Sequence, residues 1–241
     1  MRLHARRSNF STVRLCKDDA AAWASGALGR YGLPAASAQS PDLRAYVDEP
    51  GVDAARRTET YAAMRLEFAS WRWAGVPFYV RTGKRMARKL TEVVVQFRTP
   101  PLDIFEKLGA TVRNNPGNQL ILNIAPDEGI SLRVAGKVPG SGLTIATTKL
   151  EMDYVERFGG EPPEAYGPLI LDAVKGDRTL YKHRDEVENG WRIVEPFLNS
   201  ERLREGIETY PGGSWGPMRA DAILAAEDAH WHNPQRDSDV R

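Results

Sequence analysis

The order of apolar and polar residues predicts a series of short strands in the middle of the chain. Val93, Val95 and Phe97 alternate with Val94 and Gln96, which is the period of a strand with one buried face. Turns rather than long helices join these runs, and this favours antiparallel pairing. The predicted strands lie at residues 61–68, 78–82, 92–98, 119–124, 130–134 and 145–152.

A helical period replaces the strand pattern after residue 162. Helices are predicted at 164–175, from about Asp185 onward, and at 217–226. Gly176 follows the first of them in the position that commonly ends a helix. Pro196 must kink or interrupt the second helix. The apolar stripe predicted for that helix comprises Val187, Trp191, Val194 and Leu198.

Strands that come first and helices that come later indicate an α+β domain. We expect a large, mainly antiparallel β-sheet with helices packed on one face. Two further short helices are predicted, an Ala-rich one within 18–28 and one within 100–108 that starts at Pro100. Residues 30–57 are rich in Ala, Pro, Gly and Asp, so the sequence predicts an irregular surface connection there.

Composition narrows the possible functions. The chain has 241 residues, 41% of them hydrophobic, which is enough to bury a sizeable core. The 33 basic residues are balanced by 32 acidic ones, so the basic footprint of a nucleic-acid-binding protein is missing. Cys16 is the only cysteine, which fits a reducing cytoplasm. No apolar run is long enough for a membrane span or follows the pattern of a signal peptide.

A basic segment between the predicted strands at 78–82 and 92–98 is the main candidate for binding chemistry. Gly83 gives it a backbone that can approach a ligand closely. Lysines on a constrained turn can bind a phosphate dianion, whereas cations at a hairpin tip can instead keep a sheet edge from pairing. A nucleic-acid patch is the third interpretation, and the balanced charge weakens it. The cations are Arg81, Lys84, Arg85, Arg88 and Lys89.

The remaining candidate motifs favour structural roles. His183 stands beside a predicted helix start and suits capping or a surface position better than catalysis. Asp185 and Glu186 complement the same helix terminus, and Asp127-Glu128-Gly129 is typical of a turn. His230 and His232 have no third ligand nearby, so no metal site is predicted. The lone G-x-G at 140–142 is typical of a plain turn, not of a nucleotide cradle.

Long blocks of the chain resemble the C-terminal domain of bacterial glucose-6-phosphate dehydrogenases. They include TETYAAMRLEF, SWRWAGVPFYVRTGKRMA, TEVVVQF, PEAYGPLILDAVKGDRTLYKHRDEVENGWRIVEPFL and YPGGSWGPMRADAIL. The resemblance covers residues 29–234 in the same order as in the family. It implies three parts, an unmatched segment at 1–28, the family domain at 29–234 and a polar tail at 235–241.

The resemblance implies the substrate side of NADP-linked oxidation of D-glucose 6-phosphate to 6-phosphoglucono-1,5-lactone, in the oxidative pentose phosphate pathway. In the family the Lys of the Thr-Gly-Lys turn and a basic residue five positions on line the substrate pocket. These positions are Lys84 and Lys89 here, and they are the predicted substrate-binding residues. Ala125 stands where many relatives have a substrate-facing Gln, which removes one hydrogen-bonding group.

The coenzyme side of that reaction has no counterpart in the sequence. The Gly-rich turn of an NAD(P)-binding unit is absent, and the stretches around the family's catalytic histidine lie upstream of the matched region. Some relatives hold a second, structural NADP in this domain. Arg81 matches one of its cationic positions, but Leu90, Val94 and Asn123 replace others. No catalytic residue and no coenzyme site are therefore predicted.

Several functions stay open at this point. The chain is predicted to be a substrate-side and oligomer-forming domain that does not turn over alone. A non-enzymatic sugar-phosphate-binding or assembly module, or a truncated gene remnant, are the alternatives. The resemblance implies a cytoplasmic homodimer that pairs through its sheet, with glucose 6-phosphate as ligand and a separate coenzyme domain as a further partner. Neither nucleic acid nor a membrane is expected as a partner.

Overall fold

A computed structural model describes residues 13–34, 44–98, 117–140, 142–159, 166–225, 227 and 229–234, together with the backbone of 111–113. The chain divides into two compact units. Unit 1 comprises residues 1–88 and 172–241, and unit 2 comprises residues 89–171.

Each unit is built around one sheet. The strands are β1 (Gly26–Pro34), β2 (Tyr61–Glu67), β3 (Pro77–Gly83), β4 (Thr91–Gln96), β5 (Thr111–Arg113), β6 (Gln119–Ala125), β7 (Gly129–Lys137), β8 (Thr144–Asp153) and β9 (Glu208–Gly212). The helices are α1 (Asp19–Ser25), α2 (Tyr154–Phe158), α3 (Tyr166–Lys175), α4 (Arg184–Leu198), α5 (Glu201–Glu205) and α6 (Met218–Ala225). Short 3-10 turns lie at Tyr46–Asp48, Ala54–Arg56 and Trp71–Trp73.

Unit 1 contains a four-stranded sheet in the order β3-β2-β1-β9. The pairs β3-β2 and β2-β1 are antiparallel, while β9 lies parallel to β1. On one face α6 contributes Ala220, Ile223 and Leu224 to a buried cluster with the strand residues Ala27, Tyr31, Tyr61, Ala63 and Tyr210. On the other face Ala22, Phe197 and Leu203, from α1, α4 and α5, pack with Leu28.

Strand β1 was predicted as a helix end followed by an irregular connection, and this is wrong for residues 26–34. The strand lies between β2 and β9 and is covered on both faces, so its sequence shows no alternation of apolar and polar residues. Its glycines let side chains approach closely, since a Cβ at Gly26 would lie 2.8 Å from Phe197 Cδ1. A Gly-rich composition thus marks close packing here instead of a loop.

Unit 2 contains a five-stranded sheet in the order β4-β6-β7-β8-β5. The first four strands are antiparallel, and β5 lies parallel to β8. Directly opposed residues of antiparallel strands share a face. One row across the sheet comprises Val95, Leu120, Leu132 and Leu150, and the next comprises Val93, Leu122, Ile130 and Met152. These eight residues form what we call the apolar face.

The α+β class, the mainly antiparallel pairing and the six predicted strands are confirmed. The arrangement differs in two respects. The strands form two sheets instead of one, and helices cover both faces of the smaller sheet instead of a single face. The hairpin interpretation of the basic segment is wrong, because β3 pairs with β2 and β4 pairs with β6. The segment connects two sheets.

The predicted helices near the C-terminus are confirmed as α3, α4 and α6. Gly176 follows α3 with a φ of 70°, as expected for a left-handed helix end. Helix α4 continues past Pro196 to Leu198, so the proline does not interrupt it. Its buried residues are Ile193 and Phe197, and the predicted stripe is exposed at its start. Residues 164–165 and the helix predicted at 100–108 lie outside the described residues.

Candidate functional site

The candidate site begins where β3 ends. Pairing of β2 with β3 sets Tyr61 opposite Gly83, so the chain leaves the sheet directly after Gly83. A Cβ at this position would lie 2.7 Å from both Met86 Sδ and Tyr61 Cδ2. The Lys84 amide then donates to Thr60 O at 2.8 Å. A side chain at position 83 would therefore force Met86 or Tyr61 to shift.

Hydrogen bonds to its backbone groups hold the turn after Gly83 in place. The Tyr210 hydroxyl donates to Lys84 O at 2.7 Å. The Gly213 amide donates to Arg85 O, and the Ala87 amide donates to Ser214 O, both at 2.8 Å. Arg85 has a φ of 49°, which an L-residue with a Cβ adopts only when its surroundings impose it. We call residues 84–87 the lysine turn.

Arg85 turns back towards the protein. Its Nη2 lies 2.7 Å from Glu49 Oε1, and its guanidinium stands 5.0 Å from the centre of the Tyr31 ring. Contacts with Tyr31 and Glu49 hold the pKa of Arg85 above its usual value. Lys84, the preceding residue, is exposed. The two neighbouring cations thus have different roles, since one anchors the turn and the other presents its charge to solvent.

Tyr210 is the buried group behind Lys84. It is 0% exposed, and its hydroxyl also approaches Thr60 Oγ1 at 3.2 Å and Thr60 O at 3.3 Å. Burial raises the pKa of Tyr210 above that of a free phenol. The hydroxyl therefore keeps its proton at neutral pH and can donate to the Lys84 carbonyl. Nothing in the sequence around Tyr210 signals this role, because the contact joins residues 126 positions apart.

The two predicted substrate-binding lysines lie in different units. Lys84 belongs to unit 1, and Lys89 is the first residue of unit 2. Both side chains are exposed, as a group that meets a dissolved anion must be. Ala125, at the position where the resemblance implies a substrate-facing Gln in many relatives, is the last residue of β6 and is also exposed. Its methyl group offers no hydrogen bond to a sugar.

Arg81, the match to a structural-NADP position, is engaged within unit 1. Its guanidinium lies between two indole rings, 4.9 Å from the centre of Trp215 and 4.7 Å from that of Trp231. It also donates to His232 O at 2.8 Å and to Asn233 Oδ1 at 2.7 Å. Arg81 thus holds residues 229–234, the C-terminal segment, against β3. This arrangement does not fit a dinucleotide phosphate at Arg81.

The capping interpretation of His183 is confirmed. His183 Nδ1 accepts from the Asp185 amide at 3.2 Å, and Glu186 Oε2 accepts from the His183 amide at 3.2 Å. These two bonds form a capping box at the start of α4. Glu186 therefore serves the helix terminus, as the sequence predicted.

Other candidate motifs lie in connections or at the surface. Residues 126–128 join β6 to β7, and Gly140 and Gly142 lie between β7 and β8. His230 is exposed, and His232 supplies its carbonyl to Arg81. Within the ranges that the structure describes, no three His, Cys, Asp or Glu side chains are grouped as metal ligands would be. Of the helices described, none has the length and apolar character needed to cross a membrane.

Comparisons with known proteins agree on one family. The family model for the glucose-6-phosphate dehydrogenase C-terminal domain matches residues 10–232. Glucose-6-phosphate 1-dehydrogenase of Aggregatibacter actinomycetemcomitans is 42% identical over 192 residues, which are 80% of this chain and 38% of that protein. The Treponema pallidum (strain Nichols) enzyme is 40% identical over 190 residues, 78% of this chain and 37% of that protein. The chain thus spans less than two fifths of these relatives.

Solved structures give the same result. A glucose-6-phosphate dehydrogenase in complex with its substrate glucose-6-phosphate aligns with a TM-score of 0.76 and 28% identity. The alignment covers 93% of this chain and 44% of that one. Glucose-6-phosphate 1-dehydrogenase from Mycobacterium avium aligns with a TM-score of 0.69 and 31% identity, over 95% of this chain and 43% of that one.

Proposed function

Because the chain belongs to the glucose-6-phosphate dehydrogenase family and matches its C-terminal domain, we propose that it forms the substrate-side and oligomer-forming part of such an enzyme. The complete reaction would oxidise glucose 6-phosphate with NADP to 6-phosphoglucono-1,5-lactone, as the first oxidative step of the pentose phosphate pathway. The observation that carries this proposal is the exposed Lys84 on a turn whose backbone is fixed at several points.

Lys84 and Lys89 bind the phosphate of glucose 6-phosphate in this proposal. An ammonium group is a compact point charge with three donors, and its hydrogen bonds to phosphate are charge-assisted. Each lysine is exposed, so each can present its donors to a dissolved phosphate. A solved relative bound to glucose 6-phosphate supports this ligand over nucleic acid or a generic anion.

Calorimetric titration with glucose 6-phosphate tests the binding role. Lys84→Ala and Lys89→Ala should each lower the affinity about tenfold or more, because a charge-assisted bond contributes about 1.5 to 3 kcal/mol. Lys182→Ala is the matched control, since it removes an exposed lysine outside the lysine turn. If the parent chain does not bind the sugar phosphate, the phosphate-binding role is overturned and only an assembly role is left.

Residues 1–241 alone should not oxidise glucose 6-phosphate. The described histidines His183, His230 and His232 serve a helix cap, the surface and a backbone contact, and the relatives are more than twice as long as the matched region. A coenzyme-binding part is therefore needed, and NADP is its proposed coenzyme. Incubation with glucose 6-phosphate and NADP, followed by NADPH absorbance, should show no turnover. Turnover by these residues alone would contradict the proposal.

The assembly role rests on the apolar face of unit 2. Val93, Val95 and Leu150 are 46%, 41% and 58% exposed, although each stands in a row of apolar neighbours. A contiguous exposed face of this kind is typical of a protein interface, and an isologous dimer covers it with a second copy. A cytoplasmic homodimer that pairs through this sheet is the proposed state.

Light scattering at micromolar concentration measures the assembly. The parent chain should have the mass of a dimer, and Leu150→Glu should shift it to the monomer, because a buried unpaired carboxylate opposes association. Lys149→Glu puts the same carboxylate on the opposite face of β8 and should leave the dimer intact. A monomeric parent, or dissociation by both variants alike, would count against pairing through the apolar face.

A further inference from the structure

We propose that Tyr210 and Glu49 are positioning residues that aim Lys84 and thereby set the affinity of the site for the sugar phosphate. Neither residue belongs to the basic segment, and neither was singled out by its sequence context. The inference rests on the proposed role of Lys84 as a phosphate ligand. It adds which buried groups make that lysine effective.

The argument starts from the flexibility of lysine. Its long side chain samples many rotamers, so a lysine binds an anion well only when its Cα is held in the right place and orientation. In the lysine turn the Lys84 peptide is held on both sides. Its amide donates to Thr60 O at 2.8 Å, and its carbonyl accepts from Tyr210 at 2.7 Å.

Tyr210 is suited to this role because it cannot move easily. Its ring is fully buried in the unit 1 core, edge-on to Tyr61 with 5.5 Å between ring centres. The hydroxyl has one proton, and Lys84 O at 2.7 Å is nearer than either Thr60 oxygen, at 3.2 and 3.3 Å. The core of unit 1 is therefore joined through this hydroxyl to the peptide that carries the exposed lysine.

Glu49 acts on the next residue. The left-handed conformation of Arg85, with a φ of 49°, is what sends two successive side chains in different directions. Such a conformation persists only where its surroundings compensate for the strain. Here Gly213 binds the Arg85 carbonyl, and Glu49 and the Tyr31 ring hold its guanidinium. Loss of the Glu49 carboxylate would release Arg85 and let the lysine turn relax.

Titration with glucose 6-phosphate, followed by nuclear magnetic resonance so that weak binding is measurable, tests the proposal. Tyr210→Phe removes only the hydroxyl and should lower the affinity about three- to tenfold, the effect of one lost hydrogen bond. Glu49→Gln keeps the shape of the side chain and should also lower the affinity for glucose 6-phosphate. Tyr61→Phe is the control, because its buried hydroxyl forms no hydrogen bond with the described residues of the lysine turn. It should change the affinity less than about twofold.

The Lys84→Ala background separates positioning from general loss of structure. If Tyr210 acts through Lys84, Tyr210→Phe should have no further effect once Lys84 is gone. An equal loss of affinity with and without Lys84 would overturn the positioning role. So would an affinity that depends on Lys84 but is unchanged by both Tyr210→Phe and Glu49→Gln. If Lys84→Ala binds as tightly as the parent, the proposed function itself fails.

Amide hydrogen exchange gives a second test that needs no ligand. The Lys84 amide, which donates to Thr60 O, should exchange several-fold faster in Tyr210→Phe and in Glu49→Gln than in the parent. Amides of β1 and β2 should keep their protection, which shows that both variants are folded. Unchanged exchange at Lys84 in both variants would overturn the proposal regardless of the binding data.

Discussion

The two units use apolar residues differently. In unit 1 they form two buried clusters, one on each side of the sheet, with helices covering both. In unit 2 the fully buried apolar side chains, among those that the structure describes, are Ile121 and Ile145, while the apolar face is half-exposed. Unit 1 is therefore stabilised mainly by its own core, whereas unit 2 leaves apolar side chains exposed.

The largest expected effect tests the core of unit 1. Phe197, on α4, is 2% exposed, and Phe197→Ala should lower the free energy of unfolding by about 3 to 5 kcal/mol through lost burial and a cavity. Trp191→Ala on the same helix is the matched control, because Trp191 is 62% exposed. Urea unfolding measures both. Equal losses in the two variants would mean that α4 buries its other face as well.

High pH should destabilise the chain through ionisation of Tyr61 in unit 1. Burial raises the pKa of Tyr61 to about 12, from about 10 in the unfolded chain. The neutral phenol is favoured by folding, so its contribution is complete below pH 10 and is lost as the pH rises towards 12, by about 2 to 3 kcal/mol.

Unfolding free energies below pH 10 and near pH 12 check this effect. The parent should lose more stability across that interval than Tyr61→Phe, which has no phenol at this position. Parallel losses in the two proteins would show that Tyr61 ionises at an ordinary pH.

A smaller effect is expected at the start of α4. His183→Ala removes the side-chain half of the capping box and should lower the free energy of unfolding by about 1 kcal/mol. His183→Ser should stay within about 0.5 kcal/mol of the parent, because serine is a preferred cap. Thermal unfolding of the three proteins compares them. If His183→Ser were as unstable as His183→Ala, the lost stability would come from packing of the imidazole and not from the helix cap.

The smallest effect belongs to unit 2. Leu150 is 58% exposed, so Leu150→Ala should change the unfolding of the dissociated chain by less than about 0.5 kcal/mol. Ile121→Val, at a 3% exposed position on the opposite face, should cost about 0.5 to 1.5 kcal/mol. Urea unfolding of dilute samples measures the change in the free energy of unfolding for both variants. A larger loss at Leu150 would mean that unit 2 already covers its apolar face.

Most strands could be predicted because they are half-buried. Residues 91–96 and 144–153 keep one face apolar, and their alternation is visible in a single sequence. Strand β1 could not be predicted in this way, since both of its faces are covered and glycines replace the usual side chains. Strand β9 was missed for a related reason, because its residues Pro211 and Gly212 are typical of turns.

The candidate site likewise contains residues that the sequence predicted and residues that it did not. Lys84 and Gly83 are consecutive and carry a family signature, so the sequence alone predicted them. Glu49 and Tyr210 reach the lysine turn from 36 and 126 positions away, and long-range contacts leave no local pattern. The segment from 84 to 90 was predicted as a hairpin because both flanking strands were correct. Which strands pair is decided by packing between distant segments.

The contacts around Arg81 make β3 depend on residues 231–233, which are distant in the sequence. Trp231 and His232 contact a strand residue about 150 positions earlier, and the indole contact alone contributes about 0.5 to 2 kcal/mol. Truncation of the chain before Trp231 would thus remove one side of the contacts that hold Arg81. The loss would reach β3, the strand that leads to the lysine turn, although the deleted residues lie about 150 positions away in the sequence.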